Sequence, residues 1–298
     1  MAGETYTNAT GLKQSLLDAM KLIVKDKAPL IMKLGTGMKP KQKAHLFDVD
    51  SVAQPASNNA AVEGADADNS TPDDFTQNTN YTQIIRVDYK ISGTMEASEY
   101  AGVKSQVQYQ KKKALKKIGL DLEFAIINAT GEVGDATTAR EMYGFAHWAT
   151  ANTAGTSTCA STAFGGTAGQ DKVDDVLETL LEDGATPDCI LLSAANKREV
   201  VKWTNQGATR NLLSKDTTLT NTIDVYNSTV GKVEVMLHTM VGDTNVYVMD
   251  SREFKIAYMR KPKTEPLAKV GDSHRFMCLL EATLEVHNPE AIGVCVLT

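Results

Sequence analysis

The residues that could do chemistry in this chain are scattered. Five histidines, His45, His147, His238, His274 and His287, have no i,i+3 or i,i+4 partner of their own kind, so no helix offers the paired imidazoles of a zinc site. Asp121 and Glu123 sit two apart in a helical pattern; side chains so spaced leave a helix on different faces and make a poor general acid and base. Asp175 and Glu178 can share a face, yet like charges on an amphipathic helix usually mark a solvated side. The run GTGMKPK at 35–41 has one residue between its glycines where a phosphate loop needs four, and it lacks the closing Lys-Ser or Lys-Thr. It reads as a turn. No GxSxG elbow, HExxH helix, CxxC pair or GxGxxG turn occurs. The residues nominate no catalytic group, no metal ligands and no cofactor.

Charge is what the chain does concentrate. Between Ala44 and Ile85 there is no lysine or arginine, while Asp48, Asp50, Glu63, Asp66, Asp68, Asp73 and Asp74 are all acidic. Soon afterwards come Lys104, Lys111, Lys112, Lys113, Lys116 and Lys117. Such lysines suit a polyanion or an acidic protein surface. With only Tyr100 and Tyr109 nearby to stack on bases, sequence-specific nucleic-acid readout is not expected, and a protein contact or a solvated face is the better reading. A net charge of −6 argues against a surface given over wholly to nucleic acid.

The lysines need a long support. From Glu99 to Ala129 there is no proline and the only glycines are Gly102 and Gly119, which predicts a helix of about 45 Å. Val103, Val107, Ala114, Ile118, Leu122, Ala125 and Ala129 recur on one side of it and predict a buried face. The acidic residues belong to a spacer between two alternating runs, AHLFDVDSVA and YTQIIRVDYKISGT, which read as a protruding hairpin.

Ahead of the hairpin, an amphipathic pattern over 10–34 is broken by Pro29, where a helix is expected to end. Beyond the long helix, the small-residue tract TAGTSTCASTAFGGTAGQ reads as a connection. Then DKVDDVLETLLEDGA predicts a helix closing at Gly184, CILLS a buried strand, and AANKREVVKWTNQ another helix. KVEVMLH, NVYVM, EFKIAYM and two runs within FMCLLEATLEVHNPEAIGVCVLT predict strands. The class is mixed α+β. Cys159, Cys189, Cys278 and Cys295 have no metal spacing and read as reduced core filler. No apolar run reaches the roughly eighteen residues that span a bilayer, and the first residues lack the pattern of a signal peptide.

The collinear order of DKAPLIMKLG, FDVDSVAQP, AVEGADAD, TQIIRVDYKISGTMEA, YQKKKALKKIGLDLEFAIINATG and TEPLAKVGDSHRFMCLLEATLEVHNPEAIG resembles the major capsid proteins of tailed bacteriophages. The resemblance spans nearly the whole chain and implies the Hong Kong 97 (HK97)-like fold. Its parts would be an N-terminal arm at 1–43, an extended hairpin loop at 44–94, and a peripheral domain with the spine helix at 95–170. An axial domain would follow at 171–245, and a return to the peripheral domain at 246–298. It implies a structural protein and not an enzyme, binding no cofactor. Copies would form pentamers and hexamers of an icosahedral head shell around packaged double-stranded DNA held without sequence preference. The place would be the virion capsid, with assembly in the host cytoplasm and no membrane. Portal and decoration proteins are implied partners, together with a separate scaffold or none, because the chain opens almost directly on the arm. Covalent crosslinking is not expected, since the hairpin has no lysine. Asp48, Asp50, Glu63, Asp66 and Asp68 of one copy are expected to meet Lys111, Lys112 and Lys116 of another. A compartment shell protein of the same fold is the alternative reading, and an α/β enzyme a more distant one.

Overall fold

Pro29 has no amide hydrogen to leave unpaired and a φ of −74°, both suited to the start of a helix rather than its end. A short helix, α1 (Leu30–Lys33), follows it, so within the described residues the proline opens a helical turn. The computed structural model describes residues 28–50, 52, 58, 60–64, 66, 75–98, 105–203 and 224–298; the amphipathic pattern ahead of Ala28 lies outside them. The chain continues through β1 (Gly35–Thr36), β2 (Ala44–Val49), β3 (Thr76–Tyr81), β4 (Gln83–Ser92), α2 (Gly93–Ala97) and α3 (Gln106–Asn128). Next come β5 (Thr130–Glu132), β6 (Glu141–Tyr143), α4 (Phe145–Ala151), β7 (Thr156–Cys159), α5 (Thr167–Glu182), β8 (Cys189–Leu192) and α6 (Ala194–Trp203). The remainder is β9 (Val225–Asn227), β10 (Lys232–Leu237), β11 (Asn245–Met249), β12 (Phe254–Pro266), β13 (Ser273–Val286) and β14 (Ile292–Leu297).

Two sheets share the core. The first runs β1-β12-β13-β4, with β13 antiparallel to both long neighbours. Along β13, Leu280, Ala282, Leu284 and Val286 enter the apolar cluster that also holds Ile118, Leu122 and Ile126 of α3. The period of two leaves Glu281 and Glu285 on its other side. The second sheet runs β7-β14-β11-β8-β10-β9. In it β8 and β10 are parallel and joined through α6, while α5 lies against β7, β11 and β14. All four cysteines are buried and unpaired, and burial pushes the Cys189 thiol up to about 12.

Several expectations change in the structure. The helix expected from Glu99 starts at Gln106: Ser105 is extended (φ −146°, ψ 122°), and its hydroxyl accepts from the Gln108 amide. Glu96 reinforces the start by accepting from the Val107 amide at 3.1 Å. The described helix is therefore about 35 Å long, and Lys104 and Val103 lie outside the described residues. The strand paired with β2 is β3, in the register Ala44↔Tyr81 to Val49↔Thr76, and not the apolar run of β4, which pairs with β13. The small-residue tract expected to be a connection contains β7, an edge strand parallel to β14. Sheet membership also cuts across the division expected at 245. β11 and β14 sit in the second sheet, whereas β12 and β13 sit in the first, so the chain crosses between the sheets twice after residue 249.

α4 rests on the C-terminal end of α3 at Gly144, whose amide donates to the Ala129 carbonyl at 2.9 Å. A Cβ there would lie 2.6 Å from the Ala125 carbonyl oxygen and 2.7 Å from that of Ile126. Gly144→Ala is expected to destabilise the fold by about 1–3 kcal/mol through this backbone clash. Chemical denaturation checks it, and an unchanged midpoint would contradict the packing described.

Candidate assembly interface

The hairpin of β2 and β3 is rooted by polar residues that reach into the core. Asn80 is fully buried. Its amide group donates to the carbonyls of Leu284 (2.7 Å) and Tyr143 (3.0 Å) and accepts from the amides of Tyr143 (2.7 Å) and Tyr81 (2.8 Å). Next to it, Glu281 accepts from Thr82 Oγ1, Arg140 Nη2 and Arg260 Nε at 2.7–3.0 Å. Glu285 accepts from the Met38 amide (2.7 Å) and His287 Nε2 (2.9 Å), with His45 Nε2 at 3.4 Å. The polar side of β13 thus grips both the hairpin root and the segment leading into it. Gly37 permits this, since a Cβ there would sit 2.3 Å from Glu285 Oε2.

Beyond the root the hairpin turns outward. Asp48, Asp50, Glu63 and Asp66 are exposed; Asp48 accepts from its cross-strand partner Gln77 at 2.9 Å. Asp68, Asp73 and Asp74 fall outside the described residues. Leu46, Val62 and Phe75 are also exposed, at 52%, 79% and 58%, more apolar surface than a short solvated ribbon needs.

α3 changes character along its length. Its C-terminal half is enclosed on most sides, with Ile118, Leu122, Glu123, Ala125, Ile126 and Ile127 all buried. In its first half Ala114 is buried, whereas Lys111, Lys112, Lys113, Lys116 and Lys117 are exposed. Lys113 lies over the Tyr109 ring at 5.5 Å. Among the described residues, no ion pair joins Lys111, Lys112 or Lys116 to any carboxylate, and the fold does not bring them onto Asp48, Asp50, Glu63 or Asp66.

Glu123, which the sequence offers only as a poor acid/base partner of Asp121, has a different place in the structure. Its side chain has no exposure. Oε1 accepts from the Leu30 amide (2.7 Å) and His238 Nε2 (2.9 Å), and Oε2 accepts from the Ile31 amide (3.0 Å). The available signal was a charge lying inside the apolar stripe, next to Leu122 and two before Ala125. Three of the five histidines likewise find carboxylates rather than one another. His238 meets Glu123, His45 and His287 flank Glu285, and His147 stacks on Tyr143 at 3.9 Å, where burial lowers its pKa. Among the described residues no three His, Cys, Asp or Glu side chains gather as metal ligands.

The long helix lies against a sheet that carries the root of an outward hairpin, beside a second mixed sheet, which is the arrangement expected of the HK97-like fold. The sequence model of the SU10 major capsid protein matches residues 2–298, and the chain belongs to that family. It is a major capsid protein, a structural protein of the virion shell. It is 23% identical over 294 residues to the major capsid protein of Escherichia phage Phieco32, covering 83% of this chain and 84% of that one. Among solved structures, a chain of Microbacterium phage Oxtober96 superposes with a TM-score of 0.67 at 12% identity over 100% of both chains. One of Mycobacterium phage Bobi gives 0.65 at 14% over 100% of this chain and 99% of that. A chain described as the capsid of an empty GTA particle computed with C5 symmetry gives 0.65 at 13% over 99% and 98%.

Burial alone would raise the Glu285 carboxyl, but hydrogen bonds from His287, the Met38 amide and His45 outweigh it and hold its pKa below the ordinary value. A carboxyl lowered by folding stabilises fully above its unfolded pKa of about 4.3, and this contribution is lost as pH falls through the folded value. Glu285→Gln is expected to reduce stability at pH 7 by about 1–3 kcal/mol, and the gap from wild type should narrow below about pH 4. Thermal melts from pH 3 to pH 7 read this; a gap that stays constant down to pH 3 would contradict it.

Proposed function

We propose that copies of this chain close into pentamers and hexamers of an icosahedral head shell, with the acidic hairpin of one copy lying against the basic half of α3 in the next. The observation that carries this reading is the separation of charge. Exposed Lys111, Lys112 and Lys116 lack carboxylate partners among the described residues, and the exposed hairpin acids sit in a stretch without lysine or arginine. Ring closure by unlike patches suits such a polarised subunit. Each exposed pair is worth only about 0.2–1 kcal/mol, so the charges serve register and encounter rate more than affinity. Asp68 belongs to the same acidic stretch of sequence.

The shell would enclose double-stranded DNA without reading its sequence. It would be assembled in the host cytoplasm, with a scaffold, portal and decoration proteins as further partners. The chain would perform no catalysis and take no cofactor.

The triple variant Lys111→Ala, Lys112→Ala, Lys116→Ala is expected to assemble about tenfold or more slowly at low salt, with the difference fading toward 1 M, where screening reaches about 3 Å. Light scattering of assembling subunits measures the rate. Wild-type rates at every salt concentration, with only DNA retention impaired, would assign these lysines to the packaged DNA and sink the intersubunit contact.

A further inference from the structure

We propose that Glu123 is a positioning residue for assembly. It ties the root of the N-terminal arm to the spine helix α3 and the second sheet at once, and so sets where the arm leaves the subunit. The part of this that concerns shells rests on the shell reading above.

Both oxygens of this carboxylate are answered, and by donors from opposite ends of the chain. The Leu30 and Ile31 amides come from the first turn of α1, and Nε2 of His238 comes from the segment after β10. The histidine is as enclosed as the carboxylate. Its Nδ1 takes the Met240 amide proton at 3.1 Å, which fixes the ring hydrogen on Nε2, facing Glu123. Asn128 of α3 donates to the Met240 carbonyl at 3.1 Å. Lys33 holds the arm root from its other side, on Glu234 at 2.5 Å and near Asp188 at 3.7 Å. A carboxyl group shut away from water demands hydrogen-bond partners. Undocking the arm root would remove two of its three donors. Arm root, α3 and the 238–240 segment are therefore expected to hold or release together.

Two measurements test this. In the unmodified free subunit, amide exchange at Leu30, Ile31 and Met240 should agree within about threefold, as for one cooperative unit. Exchange at Leu30 and Ile31 about a hundredfold faster than at Met240 would show an arm root that opens on its own, and would overturn the proposal without reference to shells. In Glu123→Gln an NH2 group replaces one acceptor, so exchange over 28–34 should quicken at least about tenfold while β8 and β11 are unchanged, and assembled particles should vary in diameter. His238→Gln, which can both donate to Glu123 and accept from Met240, should retain wild-type exchange and particle size. Uniform wild-type particles from Glu123→Gln, or unchanged exchange over 28–34, would refute the role. Failure of the wild-type chain to assemble would count against the shell reading alone.

Discussion

A carboxylate sealed from water is the constraint on which the rest of this subunit depends. Glu123 draws the arm root and the end of β10 onto the buried half of α3, and Glu281 and Glu285 do the same for the hairpin root and the segment before it. Isolated buried charges are costly, and a satisfied one is at best a weak source of net stability. What these three acids contribute is specificity of arrangement, since each is satisfied only when segments far apart in sequence arrive together. The bulk of the folding free energy comes from the apolar cluster that runs from Leu30 to Leu297 through both sheets.

The same economy explains the exposed parts. The hairpin is held firmly at Asn80 and then presents acids and uncovered apolar residues to its surroundings. α3 is enclosed where Glu123 sits and lysine-covered where it emerges. A subunit tied down at its hairpin root, with lysines that lack carboxylate partners among the described residues, suits completion by neighbours, as a shell protein requires.

Much of this was legible in residue order. α5, β8, α6, β10 and β11 follow from amphipathic period, apolar runs and the turn at Gly184, because their stability lies in local pattern plus burial of one face. The stripe at Ala114, Ile118, Leu122 and Ala125 was readable for the same reason. β3 was not: TQNTNY has neither apolar alternation nor a β-branched run, and it forms a strand because Asn80 and the β2 ladder hold it. β7 escaped notice because its small residues gain their place from β14 beside them and α5 packed against them. The start of α3 at Gln106 depends on Glu96 reaching across from α2. The roles of Glu123 and its histidine join positions 115 apart in sequence, and no local pattern carries such a pairing. The charged residues of the proposed interface were legible as charges, and those among the described residues are exposed; a facing surface on another copy would leave no local pattern beside them.

The most direct test is an electron cryo-microscopy reconstruction of particles assembled from the purified chain. A closed shell in which each hairpin lies across the basic half of α3 in an adjacent copy is the predicted result. Hairpins folded back on their own subunit, or a chain that stays monomeric under every assembly condition, would contradict the account.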